Sequence, residues 1–125
     1  SYSDETQIFE IDKTYDINGH DVVVEAVELS PLSMKFTLSG DGLKRLIDDS
    51  DLDECGSLLT PTLTLHDGKT PDLYGSYAPA SEKHTDSTYT FTKSFGKILD
   101  ADQVASLTLT FPWEEANNTL TVTLP

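Results

Sequence analysis

"SLTLTF", residues 106–111, sets Leu107, Leu109 and Phe111 on one side of the chain and Thr108 and Thr110 on the other. A period of two sends alternate side chains to opposite faces of an extended strand, and β-branched threonine suits the wetter face. The pattern recurs along the chain. "TLTVTL" (119–124) opposes Leu120, Val122 and Leu124 to three threonines. "LSMKFTL" (32–38) places Leu32, Met34, Phe36 and Leu38 against Ser33, Lys35 and Thr37. "TLTL" (62–65) and "YTFTK" (89–93), with Tyr89 and Phe91, are shorter copies. Sheets with one dry and one wet face are typically antiparallel and pack in pairs.

Turn signals cut the runs apart. Asn18-Gly19 in "DINGHD" is a strong hairpin signal joining "KTYDI" to "HDVVVEAVEL". Ser30-Pro31 breaks the chain before "LSMKFTL", Asp67-Gly68 marks a second turn, and "ANNT" (116–119) links the last two runs. Seven or eight strands follow, spaced as in a β-sandwich. Two stretches read as short crossover helices. "SGDGLKRLIDD" carries Leu43, Leu46 and Ile47 on one stripe, and "DADQVAS" pairs Asp100 with Gln103 at a capping-box spacing. The stretch 75–88 has loop composition throughout. No repeat or linker divides the 125 residues, which form one domain spanning 1–125.

Charge excludes whole classes of partner. Eight Lys and Arg against 22 Asp and Glu leave a net −14. Nucleic acid and anionic membrane surfaces both require the opposite sign. The single cysteine, Cys55, excludes an internal disulfide framework and a cysteine-based zinc site. No apolar run approaches the ~18 residues of a membrane-spanning helix.

The densest charge is "DDSDLDEC" (48–55), where Asp49, Asp51 and Asp53 share the spacing of a calcium loop. Such a loop needs glycine at its sixth position and a bidentate carboxylate at its twelfth; here those positions hold Glu54 and Thr60. The stretch therefore reads as a helix end running into a solvated loop, where a cationic partner would touch the domain. No resident metal or cofactor is expected. His20, His66 and His84 show no ligand spacing and no partnered nucleophile, and Cys55 beside a run of anions has its thiolate disfavoured. Tyr74, Tyr77 and Trp113 lie at strand or loop ends, where aromatics either cover the core or form a platform for a sugar or a protein. Asn117-Asn118-Thr119 has the form of a glycosylation acceptor.

"KTYDINGHDVVVEAVELSPLSMKFTL" (13–38), with its asparagine–glycine hairpin and following S-P-L run, resembles the Ig-like extracellular domains of Firmicutes membrane proteins related to anti-sigma factors. "SFGKILDADQVASLTL" (94–109) is similar to their penultimate-strand region. The resemblance covers about a third of the chain, rests on structural motifs, and points to a family of unknown function with no catalytic residues to carry over. It implies an exported, membrane-tethered Ig-like sandwich without cofactor. The expected function is a non-enzymatic extracellular interaction or sensory domain, meeting a protein or glycan at the cell envelope without touching the membrane itself. Two alternatives stand beside it: a carbohydrate-binding module using Tyr74, Tyr77 and Trp113, and a hydrolase assembled from dispersed acids.

Overall fold

Asn18 and Gly19 hold left-handed backbone, with φ of 52° and 85°, the signs a two-residue hairpin loop demands. The computed structural model of the chain describes residues 6–43, 59–72, 80–85, 87–111 and 117–125. In it the turn closes β1 (Gln7–Ile17) onto β2 (His20–Leu29), with Ile17 opposite His20. β1 starts well ahead of the stretch 13–17 that reads as its extent from sequence. A register shift between Glu10 and Lys13, with Asp12 at φ 48°, interrupts the alternation there. β2 has its own shift between Val24 and Ala26, against β3 (Ser33–Ser39). That extra residue explains why "VVVEAVEL" lacks a clean period: Val22 and Val24 are buried before it, Val27 and Leu29 after it, and the same face stays inward.

Eight strands are present among the described residues. They continue with β4 (Thr60–Leu65), β5 (Ala80–His84), β6 (Thr88–Ser94), β7 (Val104–Thr110) and β8 (Thr119–Thr123). All pair antiparallel, in a five-stranded sheet of order β1-β2-β3-β6-β5 and a three-stranded sheet of order β4-β7-β8. The chain changes sheet after β3, after β4 and after β6. Side chains of both sheets enter one apolar cluster, so the architecture is an all-β, sandwich-like stack of two antiparallel sheets. Phe36 of β3 and Phe91 of β6 stand opposite each other and stack with centroids 4.9 Å apart. Leu63, Leu107, Leu109, Leu120 and Val122 fill the core from the second sheet. Burying each such side chain contributes about 1.5–3 kcal/mol. Pro61 sits on β4, an edge strand of its sheet, where a missing N–H need cost no ladder bond.

Three expectations are corrected or narrowed. Leu32 is 58% exposed instead of lying on the dry face of its strand. The Ser30-Pro31 turn, closed by the Ser30 N–H on Ser33 O at 2.9 Å, delays β3 until Ser33 and leaves Leu32 on the bend. The stretch 75–88 is not loop throughout: it contains β5, paired to β6 from Ala80–Lys93 to His84–Tyr89. An edge strand gains its ladder from backbone groups alone and needs no apolar alternation to form. Of the two crossover helices, "DADQVAS" is a single 3₁₀ turn, Ala101–Gln103. Asp100 caps it through a carboxylate that accepts from the Asp102 N–H at 3.1 Å. The other helix is described only over 41–43, where Leu43 is buried; Leu46 and Ile47 lie outside the described residues.

Candidate functional site

The end of the sandwich that carries the Asn18-Gly19 turn is tied together by polar groups. Asn117, in the β7–β8 connection, donates its backbone N–H to Asn18 Oδ1 at 3.2 Å and its Nδ2 to Asp16 O at 2.8 Å. The Asp21 N–H donates to Asp41 Oδ1 at 2.9 Å. Beside it, a Cβ on Gly40 would stand 2.6 Å from Asp21 O, and one on Gly42 2.8 Å from His20 Cβ. "SGDG" (39–42) is therefore glycine-rich because the chain passes hard against the start of β2. The Asn117 amide of the glycosylation pattern is already engaged as a brace between hairpin and loop. Asp16 and Asp21 face each other across β1 and β2, a like-charged pair without a cation between them in sequence or register.

Tyr74, Tyr77 and Trp113, the aromatics read as a partner platform, lie outside the described residues, and so do Asp49, Asp51 and Asp53, Glu54 and Cys55. His20 is half-buried at the start of β2, His66 is exposed in the turn after β4, and His84 lies on β5; the three are on separate elements. Among the described residues no charged side chain is buried, and no three metal-ligating side chains converge. Burial pushes the Tyr15 phenol above its ordinary 10.0, as expected for a side chain packed partly against the core; Lys13 Nζ lies 5.5 Å from its ring centre.

Two concave regions are lined by described residues. At the far end from the hairpin turn, Leu65, Pro71, Ile98 and Leu99 form a cleft of about 410 Å³ rimmed by Asp72 and Asp100. Backbone bonds from Leu99 N to Pro31 O (2.8 Å) and from His66 N to Gln103 O (2.9 Å) fix its walls. Lys97 and Gln103 complete the lining, which offers apolar area, two carboxylates, an amine and an amide. The second is a groove of about 240 Å³ on the outer face of the five-stranded sheet, lined by Lys35, Lys83, Thr90 and Thr92. Sequence reasoning missed this grouping because Lys83 belongs to the strand read as loop. Once β5 is paired, the register sets Lys83 opposite Thr90 and Lys35 opposite Thr92, so both lysines flank β6.

The outer faces of the two sheets differ in kind. That of β4-β7-β8 presents three rows, Thr60–Thr110–Thr119, Thr62–Thr108–Thr121 and Thr64–Ser106–Thr123, without a charge. That of the five-stranded sheet is divided: Glu10, Asp16, Asp21 and Glu28 on β1 and β2, Lys35 and Lys83 on β3 and β5. Lys35 Nζ and Glu28 Oε2 meet at the seam, 3.5 Å apart. Comparison with protein-family models, curated proteins and solved structures gives no match.

Proposed function

We propose that this chain is an Ig-like domain that works by binding, exposed at the outside of a bacterial cell and tethered to its membrane by sequence other than the described strands. One observation carries the Ig-like reading. With β1 set aside, the remaining strands in chain order fall into β2-β3-β6-β5 and β4-β7-β8, the A-B-E-D and C-F-G sheets of a constant-type immunoglobulin domain. The hairpin strand β1 is then an addition to the free edge of strand A. The departures are chemical. Strands B and F, which hold a disulfide in antibody domains, here carry no cysteine and send apolar side chains into the common core, Met34, Phe36 and Leu38 from one and Leu107 and Leu109 from the other.

A binding role is favoured over a chemical one by the surface. The described outer faces are open sheet surfaces of threonine, serine and a few charges, with one groove at Lys35 and Lys83, and the buried side chains are apolar. Open sheet faces suit protein or glycan contacts, whereas catalysis calls for convergent polar groups in a concave, water-poor site. The extracellular, tethered placement rests on the sequence resemblance over 13–38 and 94–109. Protease shaving of intact cells expressing the full-length gene product tests it. Loss of a tag carried on this domain, with cytoplasmic markers spared, is the expected result; full protection until the cells are lysed overturns the placement.

A further inference from the structure

We propose that the outer face of the five-stranded sheet is a surface on which two copies of this chain associate, around a two-fold axis parallel to the strands. The register supplies the argument. One row across the face reads Ile8, Glu28, Lys35, Thr92, and the next reads Glu10, Ala26, Thr37, Thr90, Lys83. Acids occupy the β1–β2 side and lysines the β3–β5 side. An isologous interface brings a patch against itself, so a patch split by charge is self-complementary only if the axis exchanges its two halves.

An axis lying between β2 and β3, in the plane of contact and along the strands, does so. It keeps each row over itself and reverses the order within it. Lys35 of one copy then faces Glu28 of the other, twice. Lys83 descends about one strand spacing, ~4.8 Å, beyond Glu10 of the other copy, within reach of a lysine side chain. Ile8, 64% exposed on the far edge of β1, comes over Thr92 of the second copy and loses its water. An axis across the strands instead returns each strand to its own position, acid over acid, and is rejected by charge. The threonine face of the other sheet has no charge with which to select a partner or a register.

Area sets the strength. With this axis four strands of each copy overlap, β5 lying beyond the other copy's β1. Four strands about 4.8 Å apart and about 20 Å long cover a footprint of about 400 Å², below the roughly 800 Å² per partner of a standard stable complex. The net −14 on each copy also opposes association. The dimer is therefore weak and reversible.

Sedimentation equilibrium of the whole chain from about 10 µM to about 1 mM tests this, the range in which small interfaces assemble. The expected result is a monomer–dimer equilibrium within that range. Glu10→Lys alone and Lys83→Glu alone each weaken it at least about tenfold, because each sets like charges together at both symmetry-related contacts. Glu10→Lys with Lys83→Glu in one chain restores the dimer. Both side chains are exposed, and thermal melts establish that all three variants fold. A monomer throughout overturns the proposal. So does a dimer indifferent to the single reversals, or single-variant losses that the double variant does not recover.

Discussion

β6 and β5 lie side by side in one sheet, yet one announces itself in the sequence and the other does not. "TYTFTKS" alternates because β6 is central, with Tyr89 and Phe91 driven into the core. "ASEKH" carries no such signal because it holds no large apolar residue to alternate; β5 is the last strand of its sheet and pairs on one side only. Alternation in a sequence is thus a report of burial. Backbone pairing is a separate matter, and an edge strand can have the second without the first.

The sharpest way to break that comparison is to truncate one side chain on each strand. Phe91→Ala removes a ring that is 2% exposed and stacked on Phe36, and should cost about 3–5 kcal/mol in urea unfolding. Lys83→Ala, on the exposed side of β5, should stay within about 0.5 kcal/mol. Equal costs would mean that β5 is packed as tightly as β6. Hydrogen exchange asks the same of the backbone: amides joining β6 to β3 should exchange only with global unfolding, and those joining β6 to β5 through cheaper local opening.

The opposite margin of the sheet extends the test at smaller scale. Gly40→Ala forces a Cβ to 2.6 Å from Asp21 O, at a backbone φ of 106°, and should destabilise by about 1–3 kcal/mol. Asp16→Lys replaces a like-charged cross-strand pair with an opposite one and should stabilise by about 0.2–1 kcal/mol, seen as a raised Tm. The smallest effect is alkaline. Tyr15 keeps its proton more tightly folded than unfolded, so its contribution is intact below the ordinary tyrosine range and is lost as pH rises through its raised folded value. Tyr15→Phe should flatten that part of the pH–stability profile.

Most of the dry faces could be read from alternation: Leu107, Leu109 and Phe111, Leu120, Val122 and Leu124, Met34, Phe36 and Leu38 are all buried. The Asn18-Gly19 hairpin was equally plain, because only a short list of residues accepts left-handed backbone twice in succession. What escaped was set by distant pairing. The bulges in β1 and β2 hide their period, and Leu32 fits an alternating pattern that the turn at Ser30 ends early. The close passage of Gly40 and Gly42 along β2 is visible only once the two segments meet. The lysine groove was illegible for the same reason, since Lys35 and Lys83 become neighbours of β6 through register.

The central claim is the order of strands, above all that β4 leaves β3 for the second sheet instead of continuing a meander. Interstrand nuclear Overhauser contacts between backbone protons decide it. The account predicts contacts along Phe36–Phe91 and its neighbours between β3 and β6, and along Leu63–Leu107 between β4 and β7, with none between β3 and β4. A ladder of contacts joining β3 to β4 would contradict it.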